Sequence, residues 1–241
     1  MRRSSALVVA AACLACAGAR GPTQPPDTSF APPRSDAELD ARLRFLEERL
    51  DAGWLHAAAW YWGWLGVETV AGASQVGDAI TAQRSEDRAR DVVNAVKSSV
   101  GVADLLLRPM PGRQGASPLR AMPGATQADK LARLARGEEI LRAAAERADA
   151  RWSWPVQLGN LALNLAGSAV MLGFEHPSEA GLALLNGTLG GEIEIWSEPW
   201  RAPRDLADYQ RLIETGRAAQ PLARRWGVGP VRDGIALELR F

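Results

Sequence analysis

Two stretches of the chain carry the same landmark residues in the same order, and this repetition constrains the fold more than any other feature. Residues 48–54 (ERLDAGW) correspond to residues 146–152 (ERADARW), and residues 63–68 (GWLGVE) to residues 159–164 (GNLALN). Further matched positions are Ser85 with Ser178, Asn94 with Asn186, Gly101 with Gly191, and Pro109 with Pro199. The offset falls from 98 to 90 along the chain, as short gaps in turns produce. The sequence therefore predicts one structural unit present twice.

Each unit has the pattern of a charged helix that leads into an apolar helical hairpin. Ser35 with Glu38 predicts the start of the first helix, and Thr126 with Asp129 predicts the start of the second charged helix. In the first one, leucines recur at steps of three and four residues and so share one face. They are Leu39, Leu43, Leu46 and Leu50. We expect a mostly α fold, a duplicated helical-hairpin bundle with a short C-terminal β-hairpin.

The last residues of the chain change to the alternating pattern of a strand. Between Ile235 and Phe241 every second residue is apolar, and an Asp-Gly turn signal at positions 233–234 precedes them. Residues 226–231 are the candidate partner strand. The expected division is a signal peptide at 1–20, a Pro-rich linker at 21–34, helical repeat 1 at 35–110, a Pro/Gly loop at 111–125, helical repeat 2 at 126–200, and the C-terminal helix and β-hairpin at 201–241.

The N-terminus has the three parts of a bacterial secretory signal. Arg2 and Arg3 precede an apolar stretch from residue 6 to residue 19, and no acidic residue occurs before Asp27. Residues 17–19 (AGA) offer a site for ordinary signal peptidase. Alternatively, residues 14–16 (LAC) resemble the end of a lipobox, which would make Cys16 a lipidated first residue, although Cys13 stands where lipoboxes prefer leucine. The expected location is the periplasm or the outer membrane, with an integral membrane protein as the alternative.

Composition excludes several classes of site. Both cysteines, Cys13 and Cys16, lie within the signal, so the exported part has no disulfide and no thiolate metal site. His56 and His176 are the only histidines, which excludes a zinc site built on several of them. Without its first twenty residues the chain has 25 basic and 28 acidic residues, so its charge gives no case for nucleic acid. No cofactor is expected.

Polar residues inside the apolar hairpins predict interior contacts. Folding the first hairpin about residue 84 brings Glu68 opposite Gly101 and within a helical turn of Lys97, which predicts an ion pair. The equivalents in the second hairpin, Asn164 and Thr188, predict a neutral polar pair. A catalytic or proton-handling role of Glu68 is the alternative, but no second carboxylate or histidine converges on it.

The tryptophans cluster near the open ends of both hairpins, away from the turns. They could rest at a lipid headgroup layer, where tryptophan is favoured. We expect most of them to fill the core instead. Because Glu68, Lys97 and the amides of the second hairpin are costly in lipid, we expect a bundle outside the membrane, with a membrane-embedded bundle as the alternative.

No catalytic motif is recognisable, so the expected function is that of an exported, non-catalytic protein: a structural or interaction module of the cell envelope that contacts a membrane surface or an envelope protein. One alternative is a small membrane-embedded helical protein that handles lipid or a solute. The other is a carboxylate-based hydrolase that uses Glu192 and Glu194. Their i, i+2 spacing would let the two cooperate on a strand but not on a helix.

Overall fold

The computed structural model describes residues 30–216 and the backbone of residues 226–231 and 234–239. The signal sequence, Cys16 and the linker as far as residue 29 lie outside the described residues. The helices are α1 (Asp36–Thr81), α2 (Ser85–Leu107), α3 (Ser117–Arg120), α4 (Gln127–Ala150), α5 (Trp154–Met171), α6 (Pro177–Ser197) and α7 (Ala202–Thr215). The strands are β1 (Trp226–Val231) and β2 (Gly234–Leu239). The described part is a mostly helical bundle, as the sequence predicted.

α1 is a single helix of 46 residues, which corresponds to about 69 Å at 1.5 Å per residue. It begins where Ser35 Oγ accepts a hydrogen bond from the Glu38 amide at 3.2 Å. It then continues through Trp54, where the sequence changes from charged to apolar, because no proline stands there and Gly53 does not adopt the positive φ that ends a helix. The first charged helix and the first helix of the apolar hairpin are therefore one rod.

The second repeat breaks at the equivalent place. α4 ends at Ala150 and α5 begins at Trp154. Pro155 has no amide hydrogen to donate to the carbonyl of Arg151, and its ring would collide with that carbonyl in a continuous helix. The capping box at Thr126 and Asp129 is formed at the start of α4.

The helices form two bundles that share α1. In the charged bundle, residues 36–53 of α1 pack against α4 and α7. Its core contains Leu39, Leu43, Phe45, Leu46, Leu134, Leu141, Tyr209 and Leu212. In the apolar bundle, residues 54–81 of α1 pair with α2, α5 pairs with α6, and α2 joins the two pairs by contacting α5.

The loop between the repeats is fixed to the charged bundle. Ala116 and Leu119, in and beside α3, are fully buried against Leu50 and Ile140. Asp51 accepts a hydrogen bond from the Ala116 amide at 2.9 Å. The Pro/Gly loop is therefore a packed part of the molecule.

At the C-terminal end, β1 and β2 pair antiparallel, from Trp226 opposite Leu239 to Val231 opposite Gly234. Their side chains lie outside the described residues, so a C-terminal β-hairpin packed on the helical body stays a prediction. Among the helices described, none is both long enough and apolar enough to cross a membrane.

Candidate interaction surface and buried polar cluster

The apolar bundle carries apolar side chains on its outside. On α5 the exposed residues from Trp154 to Ala169 are all apolar. On α6 the exposed residues between Glu179 and Trp196 carry no charge, and the same holds for residues 65–77 of α1 and 92–103 of α2. The large exposed side chains are Val67, Val70, Val76, Ile80, Val92, Val96, Leu158, Leu161, Leu165, Leu172, Leu182, Leu185, Leu189 and Ile193.

The inside of this bundle holds the polar side chains. Asn164 is only 3% exposed, and Ser98 and Ser168 are also buried. Asn160 Nδ2 donates to the Thr188 carbonyl at 3.1 Å and to Glu192 Oε1 at 2.9 Å. Asn164 Nδ2 in turn donates to the carbonyl and to Oδ1 of Asn160. The bundle thus buries polar side chains beside an apolar core that includes Val93, Met171 and Ala180, while many large apolar side chains stay exposed.

Glu68 lies against Gly101, as the antiparallel pairing of α1 and α2 predicted. A Cβ on Gly101 would lie 3.0 Å from Glu68 Cδ. Burial raises the pKa of Glu68, while a hydrogen bond from Ser98 and the charge of Lys97 lower it. Burial also lowers the pKa of Lys97, and the charge of Glu68 opposes that change. The two charges stabilise each other inside the bundle.

The second predicted pair, Asn164 with Thr188, is not joined by a hydrogen bond. Asn164 Nδ2 binds Asn160, and Thr188 Oγ1 and Asn164 Oδ1 are buried without a hydrogen-bond partner among the described residues. Instead, Asn164 meets Lys97 of the other hairpin above Gly187. A Cβ on Gly187 would overlap Asn164 Oδ1 and would lie 2.5 Å from Lys97 Nζ. Lys97 therefore reaches across from the first hairpin into the second, a contact that analysis of each repeat by itself missed.

The two carboxylates considered for hydrolysis point to different sides of α6, because this segment is helical. Glu192 accepts hydrogen bonds from Asn160 and from Trp196 Nε1, the latter at 3.2 Å. Burial and the charges of Glu68 and Glu198 raise the pKa of Glu194 to about 7. A second carboxylate therefore does lie within electrostatic range of Glu68, contrary to the expectation from the sequence. Glu192 and Glu194 do not converge on one point where a substrate atom could sit.

Six tryptophans are exposed where the apolar bundle adjoins the charged bundle. We call them the tryptophan collar: Trp54, Trp62, Trp152, Trp154, Trp196 and Trp200, which are 46–77% exposed. The expectation that most tryptophans fill the core is therefore wrong for this group. The buried Trp60 and the partly buried Trp64 hold the collar in place, since the Nε1 atoms of both donate to Ser197 Oγ near the end of α6.

The surface grooves among the described residues form no more convincing binding site than the apolar exterior and the tryptophan collar. One of about 720 Å³ beside the Pro/Gly loop is lined by Asp51, Trp54, Arg113 and Arg120, among others. Arg120 donates to Asp51, and this bond lowers the pKa of the carboxyl group. Asp51 and Arg120 thus bind each other, and Arg113 donates to the Met110 carbonyl at 3.1 Å. Within the residues that the structure describes, no cluster of histidine, cysteine and carboxylate side chains could hold a metal ion.

The charged bundle has its own buried polar group, which fixes α7 and the end of the linker. Arg42, 1% exposed, donates to Tyr209 Oη at 3.0 Å and to the Ala31 carbonyl at 2.8 Å. Tyr209 Oη donates to Glu138, whose pKa is raised by burial. All three polar groups are satisfied by one another, as a structural role requires.

Comparison of the chain with protein-family models, with curated proteins and with solved structures found no match.

Proposed function

We propose that the protein is an exported, non-catalytic module of the cell envelope that holds a nonpolar partner on the outside of its apolar bundle. The signal sequence and linker would deliver it to the periplasm or the outer membrane and, if Cys16 is lipidated, tether it there. The observation that carries the proposal is the apolar exterior of this bundle, where leucines and valines are exposed while amides and a charge pair lie inside.

The size of the apolar exterior supports this proposal. Soluble monomers rarely leave contiguous apolar patches larger than a few hundred Å² in water, and larger ones mark interaction sites. Leu161, Leu185 and Leu189, at 40–54% exposure, lie on neighbouring helices of one hairpin. Covering a leucine side chain fully is worth about 2 kcal/mol, so a partner that covers many of them gains substantial free energy.

The surface of the charged bundle supports different roles for the two bundles. Its outer faces carry ion pairs between helices, including Lys130 with Asp40 at 2.7 Å and Arg133 with Glu47 at 2.6 Å. Such pairs contribute little to stability but suit a surface in water. The partner-binding part is therefore the apolar bundle alone.

The arrangement of the polar groups supports a binding role over catalysis. Glu68, Lys97, Asn160 and Glu192 already neutralise or bind one another. An enzyme that uses carboxylates needs two of them directed at one reacting atom. We also propose that the two hairpins arose by duplication, because the matched Gly101 and Gly191 each lie under a polar side chain of the facing helix: Glu68 and Asn160, of which Asn160 is equivalent to Trp64.

The test compares two matched leucines. Leu161 on α5 and Leu131 on α4 are both 40% exposed, but only Leu161 belongs to the apolar bundle. The full chain carries Cys16→Ser throughout, so that a lipid anchor cannot hold it. We expect Leu161→Gln, combined with Leu185→Gln and Leu189→Gln, to move the protein from the envelope pellet to the soluble fraction. Leu131→Gln should not.

Retention of the triple variant at the level of the unchanged protein would contradict the proposal. Circular dichroism of each purified variant checks that the helical content is unchanged, because exposed leucines contribute little to folding.

A further inference from the structure

We infer that the partner of the apolar exterior is lipid. Acyl chains cover the outside of the apolar bundle, the tryptophan collar lies at the level of the headgroups, and the charged bundle stands in water. This inference rests on the proposed interaction role and adds the identity of the partner and the orientation of the molecule.

The position of the collar is the first argument. Tryptophan is favoured at a lipid–water boundary because its ring is apolar and its N–H group needs a hydrogen-bond acceptor. The six exposed tryptophans are confined to the end of the apolar bundle that adjoins the charged bundle. Trp152, in the turn between α4 and α5, packs edge to face on Trp196 of α6 at 5.0 Å, so the collar joins this turn to α6.

The height of the uncharged zone is the second argument. From Trp154 to Met171, α5 has 18 residues, which rise about 27 Å. The hydrocarbon layer of a bilayer is about 30 Å thick. Exposed charged residues return at the far end, where Arg84, Arg88 and Glu179 flank the two hairpin turns. On α5 the uncharged zone is thus almost as high as the hydrocarbon layer, whereas residues 65–77 of α1 and 92–103 of α2 rise only about 18–20 Å.

The extent of the surface around the bundle is the third argument. Large apolar side chains are exposed on all four helices, including Val70, Val96, Leu161 and Leu189. A two-fold dimer covers one face of each subunit, because its interface is a single self-complementary patch. Lipid covers every side of a bundle. The four apolar faces therefore fit a surrounding lipid phase better than a second copy of the chain.

The N-terminal chain can reach the same surface. Phe30 packs on the charged bundle beside Tyr209, to which Arg42 also binds. Arg42 lies twelve residues before Trp54 in α1, or about 18 Å along the axis. The fourteen residue-to-residue steps from Cys16 to Phe30 can extend to at most about 46–50 Å. A lipid at Cys16 and the tryptophan collar can therefore contact one membrane surface.

The test is depth-dependent quenching of tryptophan fluorescence. The full-length mature protein is reconstituted into vesicles of phosphatidylethanolamine and phosphatidylglycerol that carry bromine either near the headgroup or near the chain ends. We expect shallow bromines to quench at least about twice as strongly as deep ones. Trp154→Phe, at a site 77% exposed, should reduce the shallow quenching. Leu131→Gln, on α4 outside the apolar bundle, should not.

Three other outcomes would each contradict a specific part of the inference or of the proposed function. A defined oligomer in buffer, with no quenching in vesicles, overturns lipid as the partner and leaves the proposed interaction role intact. Equal quenching by shallow and deep bromines overturns the placement of the collar at the headgroups. A stable monomer in detergent-free buffer that binds no vesicles overturns both the inference and the proposed function.

Discussion

Gly187 stands where polar side chains from two hairpins meet, and the space there is already filled. Asn164 Oδ1 and Lys97 Nζ both occupy the position that a Cβ on Gly187 would take. The absence of a side chain at this residue therefore leaves room for both groups, although Asn164 Oδ1 has no hydrogen-bond partner among the described residues. Gly190 lies on the same helix but has nothing within 4 Å of its Cβ position.

Alanine substitutions at these two glycines should change the free energy of unfolding in opposite directions. Gly187→Ala should lower the free energy of unfolding by about 1–3 kcal/mol, since overpacking forces buried groups to move. Gly190→Ala should raise it by about 0.5–1 kcal/mol, because alanine loses less backbone entropy in a helix. Urea unfolding of both variants in the same solvent measures the difference. Equal effects would show that the contact above Gly187 is absent.

Glu194 gives a prediction about pH. Its pKa is about 7 in the folded chain and 4.5 as an ordinary carboxyl, because burial and the charges of Glu68 and Glu198 disfavour ionisation, and Arg147 only partly opposes them. Between about pH 4.5 and 7 the folded state binds the proton more tightly than the unfolded state, so this residue's contribution to stability is lost as the pH rises.

Glu194→Gln should therefore become more stable relative to the unchanged protein across this interval, by up to about 3 kcal/mol. Urea unfolding of both proteins at the two ends of the interval measures the change. Stability curves that stay parallel over the interval would contradict a raised pKa at this carboxyl group.

At the scale of the helices, much could be predicted from sequence because the signals are local. The cap at Ser35, the capping box at Thr126 and the leucine face of α1 depend on residues three or four positions apart. The sequence did not predict that two expected helices form the single helix α1. The change of composition at Trp54 marks a change in what surrounds the helix, and it does not mark a helix end. The reach of Lys97 to Asn164 was not predicted either, since it depends on how two hairpins pack.

The unbroken course of α1 leads to a prediction with proline. Ala57 is buried in α1 near the position equivalent to Pro155. Ala57→Pro should cost about 3 kcal/mol or more and bend the rod between the two bundles, because proline removes an internal hydrogen bond. Ala37→Pro is the matched control in the first turn of α1, where the amide has no partner within the helix and proline is tolerated. Thermal unfolding compares the two, and an equal loss would argue against a continuous α1.

At the scale of the whole molecule, the sequence indicated two repeats, whereas the structure divides into two bundles that each combine both repeats. The charged bundle joins the start of α1 to α4 and α7, and the apolar bundle joins the rest of α1 to α2, α5 and α6. The helix segments are grouped into bundles by whether they are charged or apolar, and not by their order in the chain. Sequence periodicity could not predict it, because periodicity identifies an apolar face without identifying the surface that covers it.

The junction between the bundles depends on Glu198 at the end of α6. Arg147 Nε donates to Glu198 Oε1 at 2.6 Å, and Arg151 donates to its carbonyl. Arg147 also donates to the Arg108 carbonyl at 2.7 Å and lies over the Trp60 ring at 5.5 Å. The ends of α2, α4 and α6 therefore meet at one buried carboxylate, which is 7% exposed.

Removing that carboxylate should weaken the attachment of one bundle to the other. Glu198→Ala leaves the partly buried charge of Arg147 without its partner, so we expect a loss of about 3–5 kcal/mol and a single thermal transition that separates into two. Glu139→Ala is the control: this side chain is 65% exposed in its pair with Arg136, and its loss should cost less than about 1 kcal/mol. Calorimetry distinguishes the two variants. One sharp transition in Glu198→Ala, at the temperature of the unchanged protein, would mean that α1 alone couples the bundles.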